Sequence, residues 1–232
     1  MTEHEKQLDE LQAVLDYRFQ NPALLELAIT HRSYINEHAA TAHNERIEFL
    51  GDAVLELMVT EYLYANYPNK PEGDMTSWRS ALVKGEQLAS IATELDLGKY
   101  LRMSKGEAKS GGRTKAYLLA NMFEAVLGAM YLDGGYAAPK TFVHRVLLPR
   151  LEEILASGSH VDAKSHLQEL AQEKLSITPA YKVVGEKGPD HAKTFEIVAY
   201  FGKEKQQAGT GANKKEAEQD AARATLEALD WK

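Results

Sequence analysis

Asn44-Glu45-Arg46-Ile47-Glu48-Phe49-Leu50-Gly51-Asp52-Ala53-Val54-Leu55 sets three acids into an otherwise apolar run. Glu45, Glu48 and Asp52 stand at i, i+3 and i+7. On a helix those steps bring the three side chains to one face, within about 60° of each other. Like charges on one face repel and lower helix stability. Something must compensate, and the simplest candidate is a divalent metal ion. Acids at this spacing also occur on solvated faces and in ion-pair networks, and spacing alone does not separate these readings.

Outward from this run, the pattern stays helical up to about Leu155. Leu8, Leu11 and Leu15 repeat at helical spacing, as do Leu24, Leu27 and Ala28. The acidic run continues through Met58 and Tyr62 and is broken near Pro68 and Pro71. Asp74 is read as a helix cap, and one helix is expected through Leu82, Leu88, Ile91 and Leu95. Ser110-Gly111-Gly112-Arg113 reads as a flexible loop. The segment from Leu118 to Tyr131 is nearly all apolar, so its polar members Asn121 and Glu124, again at i, i+3, stand out. A lone charged Glu124 there would be costly. Facing the first acids, it would need a cation. Oxygen ligands completed by water describe a Mg²⁺ site.

Ala156-Ser157-Gly158-Ser159-His160 is small and polar and reads as a linker. Domains are expected at 1–156 and 162–232, with 157–161 between them. The C-terminal stretch reads as helix, three strands, helix: Asp162 to Leu175, Tyr181 to Val184, Thr194 to Phe201, Lys205 to Ala208 and Asn213 to Leu229. A three-stranded antiparallel sheet with both helices on one face would bury it economically.

Net charge is −7, with 27 Lys+Arg against 34 Asp+Glu, which argues against a polycation that coats nucleic acid indiscriminately. The acidic excess lies N-terminal to His160, and the remainder is nearly neutral. The absence of cysteine excludes disulfides, thiolate metal sites and a Cys nucleophile. No apolar run is long enough to span a membrane, the N-terminus is not a signal peptide, and a cytoplasmic protein is expected.

The 44–55 segment resembles the signature of the ribonuclease III family. So do Thr30-His31-Arg32-Ser33, Pro71-Glu72-Gly73-Asp74, Ser110-Gly111-Gly112, Phe123-Glu124-Ala125 and Tyr131-Leu132-Asp133-Gly134-Gly135. The resemblance implies an all-α endonuclease domain acting as a homodimer on double-stranded RNA, with Mg²⁺ as cofactor and Mn²⁺ able to substitute. It implies no small-molecule cofactor and no membrane. Glu48, Asp52 and Glu124 match the metal-binding acids, Asp52 and Glu124 being the catalytic pair. Asn121 stands where many members have Asp, and its carbonyl oxygen is read as able to coordinate the metal or to hold a metal-bound water. Glu45 and Glu72 match acids that line the cleft and either position RNA or support the metal ligands. Phe49 matches an aromatic that plugs a socket in the partner subunit. The implied reaction is metal-assisted attack of water on both strands, leaving 5′ phosphates, 3′ hydroxyls and staggered ends. Ribosomal-RNA precursors are the implied substrates, with messenger and transfer RNA precursors among the other structured RNAs. His31 is read as a structural histidine near the cleft, Trp78 as packing, and Arg113 and Lys115 as bases able to touch phosphate.

Beyond the linker, Ser165-His166-Leu167-Gln168-Glu169-Leu170, Pro179-Ala180-Tyr181, Gly188-Pro189-Asp190-His191, Gly209-Thr210-Gly211 and Asn213 to Glu218 resemble a double-stranded-RNA-binding domain. Such domains read A-form shape. Ser165 and Gln168 would face one minor groove and His191 another, with Glu169 beside the first two as a further RNA contact or a solvent-facing acid. Asn213 would cap the last helix and set Lys214 and Lys215 where a phosphate docks. A regulator that binds duplex RNA without cutting it is the alternative, and Asn121 is the one feature favouring it.

Overall fold

A computed structural model describes residues 2–38, 42–157, 162–189 and 193–231. The chain forms two compact units, Met1–His160 and Val161–Lys232.

The first unit is helical. Its helices are α1 (Glu3–Leu15), α2 (Pro22–Ala28), α3 (Glu45–Asn66), α4 (Glu72–Val83), α5 (Gly85–Glu94), α6 (Lys105–Lys109), α7 (Ala116–Gly134), α8 (Ala137–Val146) and α9 (Arg150–Ser157). α7 is the axis of the core. Leu118, Leu119, Met122, Phe123, Val126, Leu127 and Met130 are all buried, so it is enclosed nearly all round. A continuously apolar helix is expected at the centre of a helical core. Burial of each large apolar side chain contributes about 2 kcal/mol before its entropy cost.

α3 crosses α7 at unusually short range. A Cβ built on Gly51 would lie 1.8 Å from the Glu124 carbonyl oxygen, and one on Gly128 would lie 2.2 Å from the Ile47 carbonyl oxygen. Only glycine lets two helix backbones meet this closely. A second tie holds the far end of α7. The Asp133 carboxylate accepts from the Tyr17 hydroxyl at 2.8 Å and from the Gln20 and Asn21 amides at 2.9 and 2.8 Å. It joins α7 to the turn before α2.

Three local expectations are corrected. Asp74 is not a cap: Pro71 precedes the first residue of α4, and Asp74 sits within its first turn, paired with Lys70 at 3.8 Å. Proline's fixed φ starts the helix earlier. The single helix expected through Leu82, Leu88, Ile91 and Leu95 is two, because Lys84 is extended (φ −60°, ψ 142°) and breaks the hydrogen-bond ladder between α4 and α5. Ser110 to Arg113 is a structured turn, with Gly111 at φ 80° and a 3₁₀ turn over Gly112–Thr114.

The second unit comprises α10 (Ala163–Leu175), β1 (Ala180–Lys187), β2 (Thr194–Phe201), β3 (Glu204–Gly211) and α11 (Lys214–Ala228). The sheet is antiparallel in the order β1-β2-β3. Its small core gathers Leu167, Ala171, Phe201, Ala222 and Leu226 from both helices and the central strand. β3 runs three residues beyond its expected end. Gly209-Thr210-Gly211 is strand, and a Cβ at Gly209 would meet the Ala221 nitrogen at 2.0 Å. The missing side chains let α11 lie against the sheet.

Candidate active site and RNA-binding elements

Glu48 and Asp52 flank Gly51 on α3, and Asn121 and Glu124 lie on α7. The glycine-mediated crossing therefore draws the two polar pairs together. The clearest sign is electrostatic. Burial, then the charges of Asp52 and Glu48, push the Glu124 carboxyl up to about 7. The Glu48 carboxyl is also raised, by burial first and Glu45 next. The Asn121 amide hydrogen-bonds to it and pulls it back, and Asp52 adds to the rise. Among the described residues, no lysine or arginine acts on Glu124 to offset these charges.

Among the described residues, no three acids or histidines converge tightly enough to form a closed ligand cage. The donor set is nevertheless all oxygen, from three carboxylates and one amide, which suits a hard divalent cation completed by water. Its surplus negative charge is what such an ion would neutralise.

Glu45 begins α3 at the surface, with Arg32 at 3.5 Å and His43 at 3.8 Å. A cavity of about 750 Å³ runs beside this end of the cleft, lined by Arg32, His43, Glu45, Glu48, Tyr117 and Asn121 among others. His31 also lines it. His31 Nδ1 lies 2.8 Å from the Ser33 hydroxyl and burial lowers its pKa, as expected of a structural histidine. Glu72 opens α4, where it accepts from the Thr76 hydroxyl at 2.7 Å, and it does not line this cavity. Trp78 is buried edge-on to Tyr67.

Arg113 and Lys115 differ from expectation. Arg113 donates to the Gly98 and Lys99 carbonyls, and Lys115 pairs with Glu107 at 2.7 Å. Both side chains are engaged by partners within the chain, Lys115 by a carboxylate and Arg113 by neutral carbonyls. Phe49, by contrast, is 79% exposed, and Leu57 (57%) and Tyr64 (76%) extend its line along α3.

In the second unit Ser165, Gln168 and Glu169 are exposed on α10. The Asn213 side chain caps α11, accepting from the Glu216 amide at 3.0 Å. Glu216 reaches back to the Ala212 amide at 3.0 Å, one residue earlier than in a standard capping box. Lys214 and Lys215 are exposed in the first turn, Lys214 lying over the Phe195 ring. His191 and positions 158–161 of the expected linker lie outside the described residues.

The family pattern described as Ribonuclease-III-like matches residues 21–151. Ribonuclease 3 of Streptococcus sanguinis (strain SK36) is 45% identical over 217 residues, covering 91% of this chain and 92% of that protein. The chain belongs to the ribonuclease III family. Another ribonuclease 3, from Streptococcus pyogenes serotype M1, is 45% identical over 228 residues and covers 97% and 98% of the two chains. The pattern described as double-stranded RNA binding motif matches residues 163–229, the span of the second unit from the start of α10 to the residue after α11. The nuclease domain of Campylobacter jejuni ribonuclease III gives a TM-score of 0.57 at 39% identity, covering 61% of this chain and 99% of that one. That structure is described as showing flexibility in a region involved in dimer formation.

Gly51, Gly128 and Arg32 are site residues that the sequence pattern does not single out. The two glycines have a readable signal, since glycine inside a helix is destabilising and calls for a reason. Arg32 lies within the Thr30–Ser33 motif, but the motif alone assigns it no role. No helix among the described residues is long and apolar enough to cross a membrane.

Proposed function

We propose that this endoribonuclease cuts double-stranded RNA at the α3–α7 cleft with the aid of a divalent cation, Mg²⁺ or in its place Mn²⁺. The observation that carries the reading is Glu124, a carboxyl raised to about 7 by burial, Asp52 and Glu48, with no cation among the described residues to offset them. Glu48, Asp52 and Glu124 would hold the ion, with Asp52 and Glu124 nearest the reacting phosphate. A bound divalent ion there supplies Lewis acidity for phosphodiester hydrolysis. Asn121 steadies Glu48 through its amide or offers its carbonyl oxygen, and Glu45 and Glu72 position the RNA. Products carry 5′ phosphates and 3′ hydroxyls with staggered ends. Precursors of ribosomal RNA and other structured RNAs in the cytoplasm are the proposed substrates.

The C-terminal module delivers the duplex. Ser165, Gln168 and Glu169 would face a minor groove, His191 the next one, and Lys214 and Lys215 the phosphates at the start of α11. A regulator that only binds duplex RNA is not favoured, because Glu48, Asp52 and Glu124 are all retained.

The occupant proposed for the exposed Phe49, Leu57 and Tyr64 line is a second copy of this chain. These residues lie within about 80° of one another around α3, a stripe that water should not face. Phe49→Arg should weaken dimerisation by about 100-fold, the scale of a central aromatic anchor, and shift the sedimenting species to monomer. An unchanged dimer would remove Phe49 from the interface.

Incubation with a long duplex RNA tests the activity. Cleavage is expected with Mg²⁺ and with Mn²⁺, and Asn121→Asp should reach half-maximal rate at lower metal concentration. Retained binding with no cleavage in either metal sinks the nuclease reading.

A further inference from the structure

An acidic cleft repels a polyanion, and the ion it holds cannot reach every phosphate near the cut. The cavity beside Glu48 and Asn121 has a single Lys or Arg among its described lining residues, Arg32. Its backbone is held firmly. His31 donates its amide to the Arg102 carbonyl at 2.9 Å, and the Ser104 amide donates to the Ser33 hydroxyl at 3.0 Å, fixing the residues on either side. The guanidinium itself is loosely held. It is 70% exposed and lies 3.5 Å from a half-exposed Glu45, a solvent-screened pair that holds it weakly. Nearby cations are more tightly engaged: Lys115 with Glu107, Arg113 with two carbonyls, and Arg102 with Glu26 and the Tyr34 hydroxyl.

Resting on the functional reading above, we propose that Arg32 is an RNA-contacting residue that leaves Glu45 when a duplex docks and takes a backbone phosphate flanking the cut. A guanidinium–phosphate contact can be bidentate and is stronger than the exposed pair it replaces. Glu45 thus parks the cation at the rim of the cleft until substrate arrives.

Binding to a short duplex RNA is measured against salt, in a Glu124→Gln background that leaves the RNA uncut. Arg32→Gln should weaken binding about five- to tenfold at low salt and reduce the slope of log affinity on log salt by about one. Arg32→Lys should keep the slope, since the charge remains. Arg32→Gln with Glu45→Gln should keep the reduced slope. If Arg32→Gln leaves the slope unchanged, or if the double variant restores it, Arg32 serves only to neutralise Glu45 and the inference fails. If the Glu124→Gln parent does not bind duplex RNA at all, the functional reading fails first and the inference with it.

Discussion

Glu124→Gln should reduce cleavage of duplex RNA by at least about 10³-fold while leaving duplex binding within a few-fold of native. The substitution preserves shape and removes one carboxylate from the charge cluster that α3 and α7 assemble. It should also separate activity from stability. The Glu124 carboxyl is raised in the folded chain to about 7 from an ordinary 4.5, by burial and then by Asp52 and Glu48. Between those values the folded state binds more protons than the unfolded state, so metal-free stability falls as pH rises from about 4.5 to about 7 and stays low above it. The full shift sets an upper limit, and solvent screening of this partly exposed group reduces it to about 1–2 kcal/mol at pH 8. Glu124→Gln should therefore be more stable than the native chain at pH 8 without metal, by that amount, and no more stable at pH 4. Thermal denaturation at both pH values, with and without Mg²⁺, checks the sign. An active Glu124→Gln protein, or one destabilised at pH 8, would remove Glu124 from the site.

Gly51→Ala should be the most damaging single-methyl change in the nuclease domain. The added Cβ would sit 1.8 Å from the Glu124 carbonyl oxygen, 2.6 Å from its carbonyl carbon and 2.9 Å from the Gly128 nitrogen. All three are backbone atoms, so no rotamer change relieves the clash, and α3 must move off α7. Overpacking of this kind costs about 3 kcal/mol, roughly 10 °C in melting temperature for a domain of this size. The same displacement separates Glu48 and Asp52 from Glu124, and a shift of about 1 Å can cost 10²-fold in rate. Gly73→Ala is the control, since nothing lies within 4 Å of a Cβ there. A Gly51→Ala enzyme with native melting temperature and rate would show that the crossing does not set the carboxylate spacing.

Much of this arrangement is legible in the order of residues alone. Three acids at i, i+3 and i+7 and two polar residues in a buried run carry their periodicity in the sequence, and period is what a chain displays most openly. The distance between the two helices is not periodic information. It is set by Gly51 and Gly128, whose meaning depends on a contact across 77 residues of chain. Charge state is hidden for the same reason. Lys115 and Arg113 look like free bases until Glu107 and the carbonyls of Gly98 and Lys99 are brought to them. Local breaks are hardest to read where two signals compete. Pro71 starts α4 ahead of Asp74, the acid that reads as its cap, and Lys84 separates two helices that share one apolar rhythm. Gly209 and Gly211 look like loop because glycine weakens strands, yet the close approach of α11 requires them inside β3.

Calorimetric titration of Mg²⁺ and Mn²⁺ into the full chain at pH 6, 7 and 8 tests most directly whether the acids of α3 and α7 form a metal site. Binding should release a proton below pH 7, so affinity should rise by up to about tenfold per pH unit towards 7 and level off above it. Asn121→Asp should bind more tightly, and Glu124→Gln more weakly and without the proton release. Binding that is absent from the native chain, or that ignores both pH and the residue at 124, would contradict the metal site.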